Sequence, residues 1–288
     1  MQRALTIVAD DYGMGPATSR GILELACLRI ITGSVMIVNT PFAAAAAAEW
    51  IDTAPEVDLG WHPNLTLDSP VSLAEHVPTL VRKDGSFWPL SVFLGKLSLG
   101  LINMAEVYRE LKAQYDRFQE LMGYVPRVVN SHQHVTIFPN IDAVLFEVLK
   151  DQNPRPYIRR VVEHGTSLMR VPGARVKRAV LASFGRRVAR RASSIGYPGC
   201  DWIAGVTDPA HVNDDEFWVR WFEHVGPDGS LEICCHPGFR DETLLNRDCA
   251  EDGLVRRTRE HLLLKAPSFR DAFTQAGFQP VRPSAMAA

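Results

Sequence analysis

The sequence predicts an α/β protein built on a mainly parallel sheet. Short β-rich runs alternate with helical stretches along most of the 288 residues, the pattern of a sheet wrapped by helices. Chemically capable polar residues recur where those runs stop. The carboxyl ends of parallel strands gather at one rim of such a fold.

Ala4, Leu5, Thr6, Ile7, Val8 and Ala9 read as a buried first strand, with Asp10 and Asp11 at its carboxyl end. Gly13 and Gly15 let the backbone turn, and residues 16–30 read as a helix with Leu23, Leu25, Ala26 and Leu28 among its apolar positions. Ser34–Val38 is the second strand. Pro41 can open the next helix, and the Ala43–Ala48 run has high helix propensity. Trp50 and Ile51 continue its apolar face, which argues against a low-complexity linker. Val57–Trp61 forms a third strand ending at His62.

Residues 68–100 read as a loop-rich excursion. Asp84-Gly85 marks a turn, and Phe87, Trp88, Phe93 and Leu94 form an apolar cluster suited to a pocket wall. Met104, Val107, Leu111, Tyr115, Phe118 and Leu121 recur at helical spacing over 103–122, and Gly123 stops that helix. Pro126 leads into Val128-Val129, a strand that delivers Asn130-Ser131-His132. Residues 140–150 are helical, and Tyr157-Ile158 and Val161-Val162 are strand candidates. Leu231–Cys235 is a strand ending at His236-Pro237-Gly238, and helices over 253–265 and 268–275 follow. With no internal repeat and no linker, one domain over 1–288 is expected.

Composition narrows the function. A net charge of −2 creates no global field toward nucleic acid or membrane. Five cysteines form no CxxC pair, and Cys234-Cys235 sits in an apolar run as buried thiols would. A reduced, cytoplasmic setting is expected. The first strand begins within a few residues of Met1, which leaves no room for a signal peptide, and no apolar run approaches the ~18 residues of a membrane helix.

Adjacent carboxylates at a strand end repel each other and call for a cation, a shared proton or a hydrogen-bond network. A zinc-type ion favours a carboxylate and two imidazoles with a position open for water. Asp11, His62 and His132 supply that set. A metal there would lower the pKa of bound water from about 15.7 toward 7 and polarise a carbonyl. Asp10 is then free to act as general base, and His236 can protonate a departing nitrogen. The competing reading makes Asp10 and Asp11 helix caps and the histidines packing residues; four histidines at strand ends beside Asp-Asp favour chemistry. In an extended His132-Gln133-His134 segment, both imidazoles would face one side. His134 could therefore ligate the metal, bind substrate or orient a carboxylate, with contact to substrate or to the residues behind the ligands ranked first, and Arg159, after the Tyr157-Ile158 run, is grouped with it. His76, His164, His211, His224 and His261 lack such a context.

From Arg170 to Arg191 eight basic residues occur without an acidic one, interleaved with Val171, Val176, Val180, Leu181, Phe184 and Val188. A solvated amphipathic helix accounts for this. Contact with an anionic substrate or a membrane surface is the sharper alternative.

Four segments in order, Ala9-Asp10-Asp11-Tyr12-Gly13, Gly60-Trp61-His62-Pro63-Asn64-Leu65-Thr66, Ser131-His132-Gln133-His134-Val135 and His236-Pro237-Gly238, resemble the YdjC-like carbohydrate deacetylases, from the first strand to about residue 265. The resemblance implies a deformed (β/α) barrel and metal-dependent removal of an N-acetyl group from an amino sugar. It places metal on Asp11, His62 and His132, the base at Asp10, and His236 near the leaving group. The family includes chitooligosaccharide deacetylases and a branch tied to hopanoid biosynthesis, whose amino sugar sits on a lipid. Gly60-Trp61-His62, Leu65-Thr66-Leu67 and the late Cys-His-Pro-Gly are more similar to that branch. Asn130, where many relatives have Asp, and Thr136, where many have a third His, depart from the pattern around the ligands.

The expectation is one divalent ion, zinc before magnesium, and an N-acetylated amino-sugar substrate, free or lipid-linked. No nucleic-acid partner is expected, and the oligomeric state is open. A phosphate-accepting receiver domain also carries an acidic pair after its first strand, but it needs only ~120 residues and no converging histidines. A metal-containing glycan-binding protein without turnover is the non-enzymatic alternative; Asp10 and His236 together favour an enzyme.

Overall fold

The computed structural model describes residues 2–286. Strand β1 (Arg3–Tyr12) leads to α1 (Pro16–Cys27), β2 (Gly33–Met36), α2 (Ala43–Thr53) and β3 (Asp58–Trp61). An excursion holding α3 (Leu90–Ser98) precedes α4 (Met104–Met122), β4 (Val128–Val129), α5 (Ile141–Leu149) and β5 (Tyr157–Ile158). Then come α6 (Gly165–Arg170), α7 (Arg175–Ser194), β6 (Trp202–Ala204), α8 (Phe217–His224), β7 (Leu231–Cys235), α9 (Glu251–Lys265), α10 (Pro267–Gln275) and β8 (Phe278–Pro280).

The strands pair in the order β5-β4-β3-β2-β1-β7-β6, with β8 added to the start of β1, and each of these pairings is parallel. The sheet curls into a half-barrel, the deformed barrel that the sequence led us to expect. β5 and β6 are not paired as strands, but the Ile203 amide donates to the Val162 carbonyl across that opening at 2.9 Å. The strand expected at Val161-Val162 is therefore an irregular segment that still closes one backbone bond.

β1 is central because it is apolar on both faces: Leu5, Ile7, Val8 and Ala9 are all buried, as expected of a strand covered by helices on one side and barrel interior on the other. α4 is held at its start by Asn103, whose side chain accepts from the Ala105 amide at 2.9 Å, and ends at Gly123 in the left-handed region. β3 and β4 approach unusually closely. A Cβ on Gly60 would stand 1.8 Å from the Val128 carbonyl oxygen, so only glycine fits there.

The basic segment is mainly helix α7, and three of its cations are used internally. Arg178 is buried against Glu163 and the carbonyls of Val171, Gly173 and Ser167. Arg187 and Arg191 both reach Asp142 on α5. Arg170, Arg175, Lys177, Arg186 and Arg190 are exposed and have no carboxylate partner among the described residues. No helix in that range is long and apolar enough to cross a membrane.

Candidate metal centre

Asp10 and Asp11 are neighbours in a strand, so their side chains should point to opposite faces. A β-bulge prevents this. Ala9 pairs with Ser34 and Tyr12 with Met36, which puts two residues of β1 opposite one of β2. Asp11 also takes a left-handed backbone, φ 71°. Together these turn both carboxylates into one cleft at the strand ends, a device that strand periodicity does not reveal.

Asp11, His62 and His132 converge as expected: one donor atom from each lies within 4.8 Å of the others. Asp11 Oδ1 is 3.3 Å from His62 Nε2 and 3.1 Å from His132 Nδ1, and all three residues are buried. Asn130 sets the chemistry of His62. Its Nδ2 donates to Asp10 Oδ1 at 3.0 Å, which fixes the amide so that its Oδ1 accepts from His62 Nδ1. With the proton on Nδ1, His62 Nε2 presents a lone pair to a carboxylate oxygen. Two acceptors facing each other in a buried site need a cation between them, so the donor set fits a divalent metal.

His132 is clasped from both sides, by Asp11 at Nδ1 and by Asp248 at Nε2, 3.3 Å away. Burial opposes an imidazolium, but the hydrogen bonds it donates to the two carboxylates outweigh that and raise the His132 pKa to about 10. Burial likewise works against the charge of Asp11, yet Arg257 and the histidines hold its carboxyl well below the usual range. Arg257 Nη2 donates to Asp11 Oδ2 at 2.7 Å.

Asp10 belongs to a separate set. Arg159 grips both of its oxygens, Nη1 to Oδ2 at 2.5 Å and Nη2 to Oδ1 at 2.8 Å, and donates through Nε to Glu232 at 2.6 Å. Burial would raise the Asp10 pKa, but Arg159, His62 and His236 hold it far below the ordinary carboxylate value. Asp10, Cys234 and His236 also have metal-ligand spacing. The Arg159 guanidinium already occupies that carboxylate, so a second cation there is disfavoured.

His236 Nε2 stands 3.7 Å from Asp10 Oδ2, and Arg256 Nη2 lies 3.3 Å from its Nδ1. Burial and the Arg256 charge bring its pKa down to about 4, so the ring is neutral at pH 7. The backbone at His134 departs from the extended form expected. His132–Ile137 is a 3-10 turn in which Gln133 and His134 both have left-handed backbones, φ 52° and 56°. The i, i+2 alignment of an extended segment is therefore absent, and His134 does not join the ligands. It lines the cleft instead, and burial and Arg159 push its pKa down to about 3. Arg159, expected beside it, orients Asp10.

The cleft has a volume of about 560 Å³. Leu90, Leu94, Phe138, Val180, Leu181 and Val206 supply its apolar wall, and Lys177 lies among its lining residues. Leu90 and Leu94 come from the excursion expected to shape a pocket. Asp248 and Arg257 were not singled out from the sequence. The first lies in a loop and the second in a helix rich in charge, and neither follows a strand. The Asn130 departure was visible, but its bridge between His62 and Asp10 emerges only in three dimensions.

The YdjC-like protein family matches residues 4–275. Curated relatives include carbohydrate deacetylases of Xenopus laevis (34% identity over 162 residues, 56% of this chain and 52% of the relative) and Danio rerio (35% over 149 residues, 51% and 46%). The chain spans about half the length of these relatives. A solved protein from Enterococcus faecalis V583, named as a cellobiose-phosphate cleavage protein, superposes over the full length of both chains with a TM-score of 0.79 and 25% identity.

Proposed function

The chain belongs to the YdjC-like family, and from that premise we propose that it is a metal-dependent hydrolase removing the N-acetyl group of an amino sugar. The observation that carries the reading is His62 Nε2 set 3.3 Å from Asp11 Oδ1 while Asn130 holds the opposite nitrogen. The names of the curated relatives support an acetylated carbohydrate as substrate.

Asp11, His62 and His132 would hold the ion, with zinc favoured by two imidazoles and magnesium the alternative. When bound, it would polarise the acetyl carbonyl and acidify a water beside it. Asp10 is the base. Both of its oxygens accept from Arg159, and Oδ1 also accepts from Asn130; the proton is assigned to Oδ2, the oxygen that faces His236. Arg159 keeps the carboxylate ionised and correctly turned, at the cost of making it a weak base that takes protons only from a strongly acidified donor. The leaving nitrogen then needs a proton. His236 was expected to supply it, but burial and Arg256 disfavour the imidazolium. With Arg256 against Nδ1, the His236 proton rests on Nε2, facing Asp10 Oδ2. In this reading the proton collected by Asp10 passes to the amine, and His236 Nε2–H steers the transfer.

The apolar wall of the cleft supports a lipid-linked sugar, and the unpaired cations of α7 support contact with an anionic membrane surface. Acetate release from N-acetylglucosamine oligomers and from an N-acetylglucosamine lipid, after zinc loading, tests the proposal. Release should require metal and disappear in Asp10→Asn, and the better substrate identifies the aglycone. A stoichiometrically zinc-loaded protein that releases acetate from neither would instead be a binding protein.

A further inference from the structure

We infer that Asp248 is a positioning residue for the metal centre: it fixes the His132 ring so that Nδ1 is the ligand nitrogen. The inference rests on the proposed metal site and adds to it a residue from the second half of the chain.

Four side chains form a closed ring. Asp11 Oδ1 lies 3.1 Å from His132 Nδ1, His132 Nε2 lies 3.3 Å from Asp248 Oδ1, and Arg257 Nη2 reaches both Asp248 Oδ2 at 3.3 Å and Asp11 Oδ2 at 2.7 Å. All four side chains are 9% exposed or less. Asp248 Oδ1 is the one charged group against His132 Nε2 among the described residues, and that nitrogen is buried with no other polar partner. An ionised carboxylate only accepts, so the shared hydrogen must sit on Nε2, leaving the Nδ1 lone pair for the centre. Asn130 does the same for His62 with the nitrogens exchanged. Each ligand ring is thus anchored by its far nitrogen, one by an amide and one by a carboxylate.

Asp248 is itself held firmly. Its amide donates to the Leu244 carbonyl at 3.0 Å. Its neighbour Arg247 binds Asp68 at 2.8 Å and the Met14 carbonyl at 2.8 Å, tying the loop to the turn that follows Asp11. Arg257 completes the support by occupying Asp11 Oδ2, which leaves Asp11 a single free oxygen for a metal. A carboxylate binding through one oxygen keeps more positions open for water and a substrate carbonyl than one binding through two.

The test titrates the full-length protein with zinc against a fluorescent chelator, comparing wild type with Asp248→Ala and Asp248→Asn. Loss of such a support typically weakens metal binding 10- to 100-fold, and that is expected for Asp248→Ala. Asp248→Asn keeps an acceptor and should lose less. Nitrogen NMR of the zinc-loaded wild type should show His132 protonated at Nε2. Thermal unfolding of the metal-free variants separates misfolding from lost affinity, and the asparagine variant carries the test if the alanine variant does not fold. Zinc affinity within twofold of wild type in the folded variants, or His132 bound through Nε2, would overturn the inference while leaving the metal reading intact. A wild type that binds no zinc would overturn both.

Discussion

Arg159→Met probes the group that holds the proposed base. In the wild type Arg159 makes three charged hydrogen bonds of 2.5 to 2.8 Å, two to Asp10 and one to Glu232. Arg159, Asp10 and Glu232 are 4%, 2% and 1% exposed. Deleting the cation strands two carboxylates without a counter-ion, and breaking a buried pair in this way costs about 3–5 kcal/mol. At roughly 2 °C per kcal/mol for a chain this long, melting should fall by roughly 6–10 °C.

The pH dependence is more discriminating than the size of the loss. The folded-state pKa of wild-type Asp10 is depressed, so its contribution is present above the unfolded value of about 4 and is lost as pH falls through the folded pKa. Without Arg159, burial governs both carboxyls: the Asp10 pKa rises above its unfolded value, and that of Glu232, which burial already raises in the wild type, rises further. Their contribution is then fully present below pH about 4 and is lost as pH rises. Urea denaturation of both proteins from pH 4 to 7 should therefore show a stability gap that widens with pH. A gap of under about 1 kcal/mol, or one that stays flat with pH, would refute the claim that Arg159 keeps a buried Asp10 ionised.

Further outcomes follow from the same geometry. Gly60→Ala must part β3 from β4 to clear the Val128 carbonyl, and a loss of about 3 kcal/mol is expected by thermal or urea unfolding; an unchanged melting point would contradict that packing. Zinc added at 100 times its dissociation constant should stabilise the protein by about 2.7 kcal/mol, and calorimetry showing no shift would remove the metal from the account. If His236 acts by hydrogen bonding, His236→Gln should keep part of the acetate-release rate that His236→Ala loses; equal losses of ~10²-fold or more would return the general-acid role to His236.

Much of this architecture was legible because strands of the inner sheet are apolar on both faces. β1, β3 and β7 appear in the sequence as compact hydrophobic runs, and each ends in a polar residue that the fold uses. The excursion before α4 was legible as a wall through its aromatic cluster. β6 and β8 were not, because each has three residues and takes its stability from neighbours rather than from its own pattern. α8 escaped notice although Phe217, Trp218, Trp221 and Phe222 are buried on one side of it. In the site, residues at strand ends could be read because topology gathers them. Asp248 and Arg257 could not, since loop contacts depend on where the chain doubles back. The His132–His134 turn defeated periodicity by taking two left-handed residues in succession.

The half-barrel is assembled from opposite ends of the chain: β1 lies between β2, made from residues 33–36, and β7, made from residues 231–235. During synthesis Asp11, His62 and His132 emerge long before Arg159, Asp248 and Arg257. A ribosome-bound first half would display the three ligands without the cations and carboxylate that orient them, and one side of β1 would have no strand to bond with. Only when residues 231–257 arrive does β7 close the exposed edge and Arg257 reach Asp11. The order of translation thus leaves the groups that orient Asp11 and His132 until last, and α9 completes the site that the first half of the chain begins.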